Sequence, residues 1–118
     1  MEVRERMKTI LFIDDSESHR FLLEEELSEE GYKVVTANNI EEVLSKRPDC
    51  NPDLVILELR QMNANEESLV KLKKQYPNTP WIGYSTFTQC PEEFKKWVLF
   101  YLQKSSEPEG LKGLIGNV

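Results

Sequence analysis

Ile10-Leu11-Phe12-Ile13-Asp14-Asp15 and Leu54-Val55-Ile56-Leu57-Glu58 are short apolar runs, each stopped abruptly by acid. Unbroken runs of this length suit strands buried on both faces, because a half-exposed strand would alternate apolar with polar. Between them the pattern changes period. Ser16 has the side chain of an N-cap, Leu22, Leu23 and Leu27 recur at helical spacing, and Gly31 supplies the left-handed residue that commonly ends a helix. A β-prone Lys33-Val34-Val35-Thr36 follows. Asn38-Asn39 then turn the chain into a short amphipathic stretch in which Ile40, Val43 and Leu44 share a face.

Beyond the second apolar run the alternation continues. Leu69 and Leu72 mark a helix that stops before Pro77, and Pro80 opens the strand-like Trp81-Ile82-Gly83-Tyr84. Pro91 suits the first turn of a further helix carrying Phe94, Trp97 and Val98, which runs into the strand-like Leu99-Phe100-Tyr101-Leu102. SSEPEG breaks the pattern. The last stretch, LKGLIGNV, reads as a short or frayed helix, since Gly113 and Gly116 each cost about 1 kcal/mol relative to Ala in a helix interior. Five strands alternating with helices define an α/β fold: a parallel sheet with helices on both faces and right-handed crossovers.

Composition bounds the rest. The 118 residues are 39% apolar and 31% charged, a globular mixture that fits one domain over residues 1–118. The net charge of −6 disfavours nucleic acid and anionic lipid, which need clustered Lys and Arg. KLKK at 71–74 reads as a helix face. Cys50 and Cys90 form no C-x-x-C pair and read as reduced thiols, without a disulfide or zinc framework. No apolar run reaches the roughly 20 residues of a membrane span, and the stretch after MEVRERMK is too short for a signal peptide. The expected location is the cytoplasm.

In open α/β sheets, sites form outside the carboxyl ends of the strands. Asp14 and Asp15 follow the first strand, Glu58 the third, Ser85 the fourth and Lys104 the fifth. Three carboxylates, a hydroxyl and an ammonium therefore converge. No nucleophile with an adjacent base, no glycine-rich phosphate loop and no His-rich metal set accompanies them, so a site without catalytic machinery is expected, not an enzyme. His19, the sole histidine, falls early in the first helix and reads as solvated.

The combination of ILFIDD, NPDLVILEL, the serine and YLQK resembles the receiver domain of two-component response regulators over nearly the whole chain. Arg20, Leu22-Leu23, Gly31-Tyr32 and the stretch at 37–44 add to the likeness. The resemblance implies a flavodoxin-like, doubly wound sheet of strand order 2-1-3-4-5. It also implies that Asp14 and Asp15 hold Mg²⁺, that position 58 accepts a phosphoryl group, and that Ser85 and Lys104 contact that group. Tyr101 takes the place of the family's aromatic switch residue, with a half-buried sheet aromatic as the alternative. The implied partners are a histidine kinase, a phosphotransfer protein or an output protein, met on the face of the fourth helix, fifth strand and fifth helix. Phe94, Trp97 and Tyr101 would supply an apolar patch there, although core packing explains some of them equally well.

The sequence also departs from the family. Glu58 stands where an aspartate is expected, Ser105 where proline usually follows the lysine, and RQMNANE lacks the usual proline and glycine. Arg60 is placed to pair with a carboxylate and compete with Mg²⁺. The expected activity is therefore phosphorelay signalling through protein contacts with Glu58 imitating a phosphate in part. A phosphorylatable Mg²⁺-dependent receiver and a small metal-dependent phosphatase or hydrolase are the alternatives.

Overall fold

A computed structural model describes residues 8–46, 51–60, 65–105 and 108–118. Five parallel strands, β1 (Thr9–Ile13), β2 (Lys33–Ala37), β3 (Leu54–Leu57), β4 (Trp81–Ser85) and β5 (Phe100–Gln103), lie in the order β2-β1-β3-β4-β5. Among the described residues there are four α-helices: α1 (Glu17–Glu29), α2 (Ile40–Lys46), α3 (Glu66–Gln75) and α4 (Glu109–Ile115). The expected doubly wound sheet of order 2-1-3-4-5 is what the chain forms.

The two apolar runs bury both faces by alternation. Leu11 and Ile13 of β1 join Val55 and Leu57 of β3 under α2, α3 and Phe94. Ile10 and Phe12 join Ile56, Ile82 and Tyr84 under α1 and α4, where Leu23, Leu27, Leu111 and Ile115 close the layer. Helix α1 starts at Ser16, whose Oγ accepts the His19 amide, and ends before Gly31 at φ 96°, a left-handed conformation that glycine adopts without Cβ strain. Of the three leucines that recur at helical spacing, Leu23 and Leu27 are buried and Leu22 is 49% exposed, beside Phe21 at 68%. Helix α3 begins at a reciprocal capping box between Asn65 and Ser68.

The expected fourth helix does not form. Between β4 and β5 there is a single 3₁₀ turn, Glu92–Phe94, followed by turns. Phe94 is buried in the core and Trp97 stacks on Trp81 at 5.8 Å between ring centroids, so core packing claims these aromatics and the patch expected on that face is not theirs. The exposed apolar side chains on that side are Leu99 and Phe100. The short helix expected in LKGLIGNV is the seven-residue α4, which begins two residues earlier, within SSEPEG, and ends at Ile115. Cys90 is a half-buried free thiol, whereas Cys50 lies outside the described residues, as do residues 61–64 of RQMNANE and 106–107 of SSEPEG. No helix among the described residues is long and apolar enough to cross a membrane.

Candidate functional site

The sheet's own hydrogen bonds carry past the strand ends and fix the site. The Asp14 amide donates to the Ala37 carbonyl (3.0 Å), that of Glu58 to Ile13 (2.9 Å) and that of Lys104 to Ser85 (2.6 Å). Each side chain thus leaves the carboxyl edge of the sheet from a position set by strand register. Asp14, Glu58 and Ser85 are buried at 1%, 5% and 0% exposure, while Asp15 points to solvent and stands apart.

Lys104 lies at the centre. Its Nζ donates to Asp14 Oδ2 at 2.7 Å and sits 2.6 Å from Glu58 Oε1. His19 Nδ1 is the third neighbour, at 3.0 Å; because an ammonium has donors and no acceptor, the imidazole accepts through Nδ1. Three ammonium protons meet three acceptors. The other Glu58 oxygen, Oε2, accepts from the Ser85 hydroxyl at 2.5 Å and from the Arg60 amide at 2.6 Å. Asp14 Oδ1 accepts the Ser16 amide at 2.9 Å, and Arg20 donates to the Asp14 carbonyl at 2.7 Å. Burial opposes the charged form of Lys104, but its hydrogen bonds to Asp14 and Glu58 and their negative charge outweigh that and hold its pKa above the usual 10.5.

One residue expected to stand outside the site also belongs to it. His19, expected to be solvated, keeps half of its side chain exposed yet touches Lys104. Its signal was the third residue beyond an N-cap, on the first turn that faces the strand ends. Among the described residues the Arg60 side chain pairs with no carboxylate. Its guanidinium lies over the Phe87 ring, 4.2 Å from the centroid, and its backbone amide is what reaches Glu58. Tyr101 turns inward, its one hydroxyl proton shared between the carbonyls of Ser85 (3.1 Å) and Phe87. Gly83 makes room for that ring: a Cβ there would stand 3.1 Å from Tyr101 Cδ1.

The donor set does not suit Mg²⁺ in this arrangement. That ion requires near-octahedral oxygen ligation, whereas both oxygens of Asp14 and both of Glu58 are already engaged by protein donors, and an ammonium occupies the space between the two carboxylates. Among the described residues no group of three or more His, Cys, Asp or Glu side chains is placed to hold a metal.

Alkaline pH tests the electrostatics. Burial raises the Tyr84 and Tyr101 pKa values above 10.0; at Tyr84 the Lys104 charge opposes the rise and that of Asp14 adds to it, and at Tyr101 Cys90 and Glu58 add to it while Arg60 opposes. Lys104 is raised as well. Each group keeps its proton more firmly folded than unfolded, so its contribution is complete below the unfolded value and disappears as pH rises through the folded one. Urea denaturation between about pH 9 and pH 11.5 is expected to show stability falling from about pH 10 upward. The decline should be shallower in Tyr84→Phe.

No family model matches the chain. Among solved structures, the response regulator TrrA of Thermotoga maritima, in complex with Mg²⁺-BeF, is 32% identical with a TM-score of 0.77, covering 94% of this chain and 98% of TrrA. The same protein is also matched in a complex with the histidine kinase ThkA, at 32% identity and a TM-score of 0.78, covering 94% of this chain and 97% of that one. The autoinducer sensor kinase/phosphatase CqsS of Vibrio cholerae is 34% identical over 82 residues, which are 66% of this chain and 12% of CqsS. The chain belongs to the receiver domain family of response regulators. It spans between 12% and 22% of the length of the curated relatives it matches.

Proposed function

We propose that this chain is a single receiver unit that signals through protein contacts without accepting a phosphoryl group, Glu58 standing at the acceptor position. One observation carries the reading: the Glu58 carboxylate already holds both the Ser85 hydroxyl and the Lys104 ammonium. Those are the groups that the resemblance assigns to the phosphate. A glutamate brings one charge and two oxygens, against up to about −2 and three oxygens for a phosphate. The imitation therefore favours a partly switched state, with Tyr101 inward. Asp14 and Asp15 then serve less as Mg²⁺ ligands than as a lysine partner and a solvated neighbour.

The solved TrrA–ThkA complex supports a histidine kinase as one class of partner, beside phosphotransfer and output proteins. With the fourth helix reduced to a turn, the proposed contact face consists of β5, α4 and the exposed Leu99 and Phe100. Acetyl phosphate in the presence of Mg²⁺, followed by intact-mass spectrometry, is expected to leave the wild-type chain unlabelled, and calorimetric titration with beryllofluoride and Mg²⁺ to give no saturable heat. Stoichiometric acyl phosphate, or tight Mg²⁺-dependent binding of the analogue, would overturn the proposal.

A further inference from the structure

Arg60 touches two parts of the site through different groups. Its backbone amide donates to Glu58 Oε2, and its guanidinium covers the Phe87 ring in the segment after β4. The Phe87 carbonyl, in turn, accepts the Tyr101 hydroxyl. The ring and the carbonyl belong to one residue, so a contact that holds the ring also restrains the acceptor. A planar guanidinium over an aromatic face is an attractive and orienting contact. Phe87 is only half-buried, packed at the edge of the core among the exposed Thr86, Thr88 and Gln89, and the Gln103 side chain holds the Thr86 carbonyl; the guanidinium adds a restraint on the ring itself.

We propose that Arg60 is a positioning residue that ties the β4–β5 connection to the Glu58 loop and thereby keeps Tyr101 inward. The route runs from Glu58 through the Arg60 main chain and guanidinium to the Phe87 ring, and from the Phe87 carbonyl to the Tyr101 hydroxyl. It supplements the direct hydrogen bond from Tyr101 to the Ser85 carbonyl. The inference rests on the reading of Glu58 as a permanent occupant, since that carboxylate anchors the Arg60 amide.

Ring-¹³C-labelled tyrosine gives the test, with the Tyr101 signal assigned by its loss in Tyr101→Phe. Relaxation dispersion on that signal reports the outward population. Arg60→Ala and Phe87→Leu, both of which keep the amide that holds Glu58, are each expected to raise that population about two- to fivefold. Arg60→Lys should fall between wild type and Arg60→Ala. The Arg60→Ala/Phe87→Leu double variant should go no further than either single change, because both break one contact. The signals of Tyr32, Tyr76 and Tyr84 should stay in place. An unchanged Tyr101 in Arg60→Ala, additive effects in the double variant, or equal movement of all four tyrosines would overturn the proposal. Beryllofluoride titration of the same wild-type sample separates the two readings: binding would sink the occupancy of Glu58, while the tyrosine signals judge the Arg60 link by themselves.

Discussion

Replacing Lys104 by methionine is expected to lower the unfolding free energy by about 3–5 kcal/mol, the loss typical when a buried ion pair is deprived of one partner. The Lys104 side chain is 9% exposed and lies between carboxylates exposed by 1% and 6%. Without the ammonium, Asp14 and Glu58 are two like charges side by side with little water to separate them. A domain of ordinary stability has about 5–15 kcal/mol in total, so the variant should stand close to its unfolding threshold. The triple variant Asp14→Asn/Glu58→Gln/Lys104→Met removes the charges together, and should recover most of the loss. Urea denaturation with an unchanged m-value checks both. A loss below about 1 kcal/mol in Lys104→Met would place the cluster with surface pairs.

The strands and the strand ends were legible because burial on two faces leaves a simple mark. Leu54-Val55-Ile56-Leu57 has no polar residue to offer solvent, and all four of its side chains are buried. The acids beyond such runs are positioned by register alone, so convergence of Asp14, Glu58, Ser85 and Lys104 could be read from order in the chain. The segment before β5 could not. Phe94, Trp97 and Val98 have helical spacing, yet the chain must travel back along the five residues of β4, roughly 16 Å. Eight helical residues advance only about 12 Å. The Leu99 amide already bonds the Trp81 carbonyl at 2.8 Å, so turns and extended chain replace the helix. The aromatics at that spacing pack inward.

The contacts of His19 and Arg60 were hidden for a different reason. Lys104 meets His19 across 85 positions, and which of several long side chains fills a small polar space depends on rotamers that no local pattern encodes. Arg60 was read as a charge in search of a carboxylate. It is exposed, where an ion pair gains little over water, and an aromatic face within reach competes well.

Glu58→Asp should form acyl phosphate from acetyl phosphate and Mg²⁺ at a rate about a hundredfold or more above any residual reaction of the wild-type chain, the scale attached to a misplacement near 1 Å at a reacting centre. The substitution withdraws the carboxylate by one methylene, about 1.5 Å. Ser85 and the Arg60 amide then lose a partner now held at 2.5 and 2.6 Å, and Lys104 keeps Asp14 while its second acceptor recedes. The space given up by glutamate is where a phosphoryl group would meet the hydroxyl and the ammonium. Because buried donors are left less well satisfied, the variant should also be less stable, by about 1–3 kcal/mol. Gain of acceptance together with loss of stability is the signature of a carboxylate that stabilises the site by blocking it. Equal labelling of both proteins would instead mean that Glu58 yields its place readily and that the interior tolerates either acid.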